Sequence, residues 1–176
     1  KRISEILCLN YQNKNSKIVV VRFGNVFASQ GSAINLFLNQ INAGGPVTLT
    51  NKKVERYFMS SSEAANLVLQ SSQLNYNRKI LILDMGKQIK LINIIKKLIN
   101  IHRLKDPFSR IKIKYIGLKK GEKLKEKLFL NKIKKSRYHK NILIANEPTY
   151  DQDTSNKLLS NLNFSLIKYD KNKMIK

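Results

Sequence analysis

The chain has 176 residues, enough for one compact domain with a real core. Its 34 Lys and Arg against 11 Asp and Glu give a formal charge of +23, the balance of a protein that meets nucleic acid or an anionic surface. Cys8 is the single cysteine, and His102 and His139 are the only histidines, so an intrachain disulfide is excluded and no metal site is expected.

The sequence opens on Lys1-Arg2-Ile3-Ser4-Glu5-Ile6-Leu7 without Met or a cap signal, which reads as the middle of a helix running to about Tyr11 and as a cut edge. That helix ends in the polar stretch Asn13-Lys14-Asn15-Ser16. Ile18-Val19-Val20-Val21-Arg22-Phe23 is a β-branched run suited to a strand buried on both faces of a parallel sheet. Gly24-Asn25 breaks it, and Ser29-Gln30-Gly31-Ser32 leads into an amphipathic helix that stops at Gly44-Gly45-Pro46. Val47 to Thr50 and Arg56 to Met59 read as short strands. Ser60 and Glu63 form a capping box at the start of the next helix. Lys79 to Asp84 is an apolar strand, and Leu91, Ile94, Ile95, Leu98 and Ile99 have helical spacing. Ile111 to Tyr115 alternates as a half-exposed strand. Glu122 to Leu130 is expected to be helical, Lys132 to Lys140 a basic link, Asn141 to Ala145 a strand, and Asp153 to Leu162 a last helix. Strands alternating with helices indicate an α/β fold.

Several of these loops carry chemistry. Asn25 lies just past the carboxyl end of a strand, where open α/β sheets bind ligands, although an Asn beside Gly24 also suits a plain turn. Gly31-Ser32 at a helix start can present amides to an anion, or Ser32 can be a simple cap. Arg56 follows a short strand, where its guanidinium can fork onto phosphate or form a surface salt bridge.

The string Arg22-Phe23-Gly24-Asn25-Val26-Phe27-Ala28-Ser29-Gln30-Gly31-Ser32 resembles the extended short-chain dehydrogenase/reductase superfamily. Within it the string is similar to the polysaccharide-biosynthesis branch, the UDP-N-acetylglucosamine 4,6-dehydratases. Gly44 to Thr50, Arg56 to Met59, Leu83 to Gly86 and Gly117 to Leu124 follow in that family's order, and the resemblance fades after Lys132. It implies the carboxy-terminal part of an NAD(P)-binding Rossmann-type sheet, interleaved with a small mixed α/β substrate-binding subdomain. Residues 132–176 are a weakly matched extension.

The resemblance further implies that Asn25, Gly31, Ser32, Arg56, Lys119 and Glu122 bind a UDP-sugar. Glu122 would accept from ribose hydroxyls. Lys119 stands where the family has a second phosphate-binding Arg, which keeps the charge and loses the bidentate fork. Lys1 matches the Lys of a catalytic helix pair and would hold the nicotinamide ribose, with Gly24 and Val26 also on the cofactor side. At a chain end, Lys1 also reads as one lysine among many. NAD or NADP would be bound mainly by an amino-terminal half carrying the glycine-rich phosphate loop, which this sequence does not contain.

The chain is therefore expected to be the substrate-binding half of a dehydratase, inactive alone and a homo-oligomer when complete. A cytoplasmic place is expected, or one on the inner membrane face through upstream spans. An epimerase or reductase of the same superfamily is the nearest alternative. A basic nucleic-acid-binding module is the alternative from another class. The Lys excess accompanies abundant Asn and Ile and forms no single arm, so it reads as compositional background and no nucleic acid is expected.

Overall fold

The computed structural model describes residues 1–11, 15–27, 29, 31–130, 133–148 and 150–167, the last three by backbone alone. Asn13, Lys14, Ala28, Gln30 and Lys132 lie outside them, as does the tail after 167. The first half of the chain forms α1 (Arg2–Asn10), β1 (Val19–Arg22), β2 (Asn25–Val26), α2 (Ala33–Asn42), β3 (Val47–Leu49), β4 (Glu55–Arg56), β5 (Phe58–Met59) and α3 (Ser61–Gln73). The second half forms β6 (Lys79–Leu83), β7 (Ile89–Lys90), α4 (Leu91–Lys105), β8 (Ile113–Tyr115), β9 (Ile133–Lys135), β10 (Ile142–Ala145) and α5 (Gln152–Ile167).

The two apolar runs pair as expected for an α/β fold. β1 and β6 are parallel neighbours, with Val21 opposite Leu81, in a four-stranded sheet ordered β1-β6-β10-β9. β10 runs antiparallel to both β6 and β9. Because side chains alternate along a strand, Leu81 and Leu83 enter one core with Ala64 and Leu67 of α3, whereas Ile80 and Ile82 enter the core on the opposite face. β6 is thus buried on both sides. β1 is only half-buried, contrary to the sequence reading, because it is the edge of this sheet among the described strands.

A third core sits by three two-stranded pairings, β2 with β5, β3 with β8 and β4 with β7. There α2 contributes Phe37 and Ile41, and α4 contributes Leu91, Ile95 and Ile99, against Val47, Leu49 and Val54. The Ser60 side of the expected box is present, its hydroxyl accepting from the Glu63 amide at 3.2 Å. Asp151 caps α5 by accepting from Thr154 N at 2.7 Å, two residues before the predicted start.

Three expectations are corrected. Arg56 to Met59 is not one strand: it breaks at Tyr57, so that β4 pairs with β7 and β5 with β2. Glu122 to Leu130 is not helical. Its backbone is used by distant partners, Leu124 O by Glu55 N at 2.8 Å and both polar groups of the Glu126 backbone by the Gln88 amide. Those bonds override local helix propensity. Within Lys132 to Lys140, Ile133–Lys135 forms β9, an edge strand with both lysines exposed, as edges that resist further pairing are built.

Candidate functional site

The carboxyl ends of β1 and β6 meet at Gly24 and Met85. Gly24 N donates to Met85 Sδ at 3.2 Å, and a Cβ on Gly24 would lie 2.7 Å from Tyr57 Cβ. Only glycine allows this approach, which brings β2 against β5. Asn25 then donates to Tyr57 O from its backbone at 2.9 Å and from Nδ2 at 3.3 Å. Val26 packs half-buried in the core beside Met59. Phe27 stacks on Phe58 with centroids 4.8 Å apart.

One turn later, Gly31 adopts φ 74°, and Ser32 caps α2 by accepting from Asn35 N at 3.4 Å. The simple-cap reading of Ser32 is therefore realised, and its hydroxyl is already engaged.

Arg56 sits between two carboxylates. Its Nε lies 3.2 Å from Glu126 Oε1 and its Nη2 3.7 Å from Glu122 Oε1, while Nη1 donates to Glu55 O and Leu124 O. Glu122 accepts from Thr50 Oγ1 at 2.7 Å and from Lys119 N at 3.2 Å. Arg56 and the turn that carries Lys119 and Glu122, more than sixty residues apart in sequence, therefore meet at the Glu122 carboxylate, which Lys119 contacts through its backbone amide.

Lys119 and Glu122 line a cavity of about 260 Å³ whose apolar wall includes Phe37, Leu49 and Ile116 and whose rim includes Thr48 and Thr50. Glu126, on the other side of Arg56, lines a second cavity of about 310 Å³ with Tyr57, Gln88 and Lys127. Arg56 thus stands between the two hollows. Asn25 is not in the first cavity. It connects to the cluster through Tyr57, the residue after Arg56.

A separate cluster anchors the helix that carries Lys1. Arg22 donates to both oxygens of Glu5 at 2.8 Å, and its Nη1 donates to Glu147 Oε1 and Leu128 O, each at 2.8 Å. Arg2 adds bonds to Glu5 and Pro148 O. The Glu147 side chain is 2% exposed, and its Oε2 is buried without a hydrogen-bond partner among the described residues.

Burial pushes the Glu5 and Glu147 carboxyls up, but the surrounding donors more than offset it, so both lie below the ordinary glutamate value. For Glu5 those donors are Arg22 and Arg2; for Glu147 they are Leu130 N and Arg22. The hydrogen bond to Glu5 leads in raising Arg22. Since Lys1 precedes Glu5 by one turn, this clamp sets the amino end of α1 beside the carboxyl end of β1.

Sequence reading missed the roles of Glu5, Arg22, Glu126 and Glu147. A usable signal existed for Arg22, because a lone cation inside an apolar strand has to find carboxylates. None existed for Glu147, which lies in the weakly patterned part of the chain.

The family described as "Polysaccharide biosynthesis protein" matches residues 1–147. The chain is 46% identical over 134 residues to the capsular polysaccharide biosynthesis protein CapD of Staphylococcus aureus, covering 75% of this chain and 22% of CapD. It is 38% identical over 112 residues to a UDP-glucose 4-epimerase of Rickettsia canadensis, covering 63% of this chain and 31% of that protein. The X-ray structure of Pen from Bacillus thuringiensis superposes with a TM-score of 0.72 at 26% identity, over 91% of this chain and 56% of that one. The chain thus spans about a fifth to a third of the length of these two curated relatives.

Proposed function

Because the chain belongs to the polysaccharide biosynthesis protein family, we propose that it is the substrate-binding portion of a UDP-N-acetylglucosamine-type 4,6-dehydratase. The observation that carries this reading is the convergence of Arg56, Lys119 and Glu122 beside a hollow with an apolar wall. A nucleotide diphosphate asks for that combination, a flat apolar slot for the base, acceptors for ribose hydroxyls and cations for the phosphates.

In this reading the base lies in the hollow against the exposed Leu36 and Ile116, Glu122 and Thr50 meet the ribose, and the diphosphate passes Lys119 and Arg56. The sugar then lies toward Tyr57 and Asn25. To take a phosphate, Arg56 exchanges its contacts with Glu122 and Glu126 for phosphate oxygens. The Gly31 amide lies at the start of α2, where a helix favours an anion, and the Ser32 amide would exchange its 3.0 Å bond to Ser29 O for one.

The residues present suit one edge of an NAD(P) molecule. The Glu5–Arg22 clamp ties the first turn of α1 to the last residue of β1, which supports a cofactor side made of Lys1, Gly24 and Val26. Lys1 there would bond the nicotinamide ribose. When bound, the cofactor supplies hydride transfer; this chain binds and orients the sugar and excludes water around it. The cofactor's remaining contacts, a homo-oligomeric assembly and a cytoplasmic place belong to the same proposal. Among the described residues no helix is long and apolar enough to cross a membrane.

The test is calorimetric titration of the chain with UDP-N-acetylglucosamine, followed by assay with NAD in the presence and absence of the amino-terminal half of the enzyme. Binding that is lost in Arg56→Ala, with turnover to the 4-keto-6-deoxy sugar only when both halves are present, is the expected result. Turnover by the chain alone, or binding indifferent to Arg56, would overturn it. The epimerase relative favours a second reading, and a product epimerised at C4 without loss of water would select it.

A further inference from the structure

We infer that the corner between α4 and β8 is a docking surface for an anionic lipid bilayer. α4 turns Leu91, Ile95 and Ile99 into the core, as an amphipathic helix does. Its last turns break that rule. Ile101 is 58% exposed and Leu104 84%, and Phe108, just past Asp106-Pro107, is 92% exposed. A phenylalanine this exposed gains nothing from the fold.

The surroundings are cationic. From Ile101 to Lys112 the sequence has four Lys and Arg and a single acid, Asp106. Arg103, Lys105 and Arg110 are exposed and interleave with the apolar tips. Apolar side chains that reach the headgroup boundary, together with cations that meet anionic headgroups, are the two signals peripheral membrane binding requires, and either alone is weak. Self-association through this corner would set Arg103, Lys105 and Arg110 against the same cations of a second copy, so an oligomer of the chain uses another face.

The placement leaves the nucleotide cavity open. Leu91, at the first position of α4, lines that cavity with Lys119 and Glu122. The helix is 15 residues long, so its far corner lies about 22 Å away.

The chain contains no tryptophan, so Phe108→Trp places a single reporter at the corner. With phosphatidylcholine vesicles containing about 30% phosphatidylserine, its emission should shift to the blue and be quenched by brominated lipids. Pure phosphatidylcholine should leave it unshifted. In sedimentation with the anionic vesicles, the double variant Leu104→Ser/Phe108→Ser of the otherwise unchanged chain should bind about tenfold more weakly at the same net charge. Equal binding by that variant would mean that charge alone acts, and would overturn the inference. So would a reporter that bromolipid does not quench, or one that polyglutamate shifts as strongly as vesicles do, which would assign the corner to an acidic protein.

Discussion

Arg22 holds Glu5 by two parallel hydrogen bonds of 2.8 Å, tying the end of β1 to the first turns of α1. Its remaining arm donates to one oxygen, Oε1, of Glu147, whose side chain is almost wholly buried. Removing one member of such a cluster leaves the others charged and uncompensated. Arg22→Ala is therefore expected to cost about 3 kcal/mol of stability, and Arg22→Lys to recover only part, because an ammonium cannot fork across Glu5 while reaching Glu147. Urea unfolding of the three proteins measures this. Equal midpoints for Arg22→Ala and the parent chain would show that the cluster is not stabilising.

The same cluster fixes a pH dependence. Glu5 and Glu147 have folded-state values below the ordinary 4.5, so the unfolded chain binds their protons first as pH falls. Their contribution is complete above about pH 4.5 and is lost as pH drops through the lowered folded values. The melting temperature should fall below that point. The fall should be shallower in Glu5→Gln, which starts lower at pH 7 and has one carboxylate fewer to protonate. An identical acid slope in both proteins would remove Glu5 from the explanation.

Gly24→Ala tests the junction of β1 and β6. The new Cβ would meet Tyr57 Cβ at 2.7 Å, Met85 Cε at 3.1 Å and Tyr57 O at 3.1 Å. Met85 has a flexible end that can move aside, but Tyr57 contributes backbone and Cβ, which cannot. A loss of about 1–3 kcal/mol is expected, and Met85→Ala in the same chain should not restore it. Full rescue by Met85→Ala would place the strain on the methionine instead.

The parts of this fold legible in the sequence were those set by local pattern. The β-branched run at Ile18 to Phe23, the apolar run at Lys79 to Asp84 and the Ser60 cap each specify their own conformation over a few residues. Diphosphate chemistry calls for Arg56, Lys119 and Asn25 in one cleft; the structure brings Arg56 to the turn of Lys119 and Glu122 but leaves Asn25 outside that cavity. What stayed hidden depends on distant partners. The stretch from Glu122 to Leu130 has helical composition, yet it is irregular because Glu55, Arg56 and Gln88 claim its backbone. Asn25 looked free to meet substrate, but its amide is engaged by Tyr57 O because β2 must pair with β5.

Glu126 gives the most discriminating test of the nucleotide-sugar reading. Its backbone is fixed by two bonds to Gln88, at 3.0 and 3.1 Å, so Glu126→Gln removes a charge without releasing the segment. In the parent chain the carboxylate competes with any phosphate for Arg56 Nε, 3.2 Å away. The pair is partly exposed, Glu126 by 35%, which limits its worth to about 1 kcal/mol, or about fivefold in affinity. If Arg56 receives the diphosphate, Glu126→Gln should therefore bind UDP-N-acetylglucosamine up to about fivefold more tightly. Arg56→Ala should bind it at least tenfold more weakly, about the worth of one charge-assisted bond. The gain should vanish for uridine, which has no phosphate to take the vacated place. A Glu126→Gln variant that binds UDP-sugar and uridine with the same change would mean that Arg56 and Glu126 form a structural ion pair, and that the phosphates are held elsewhere.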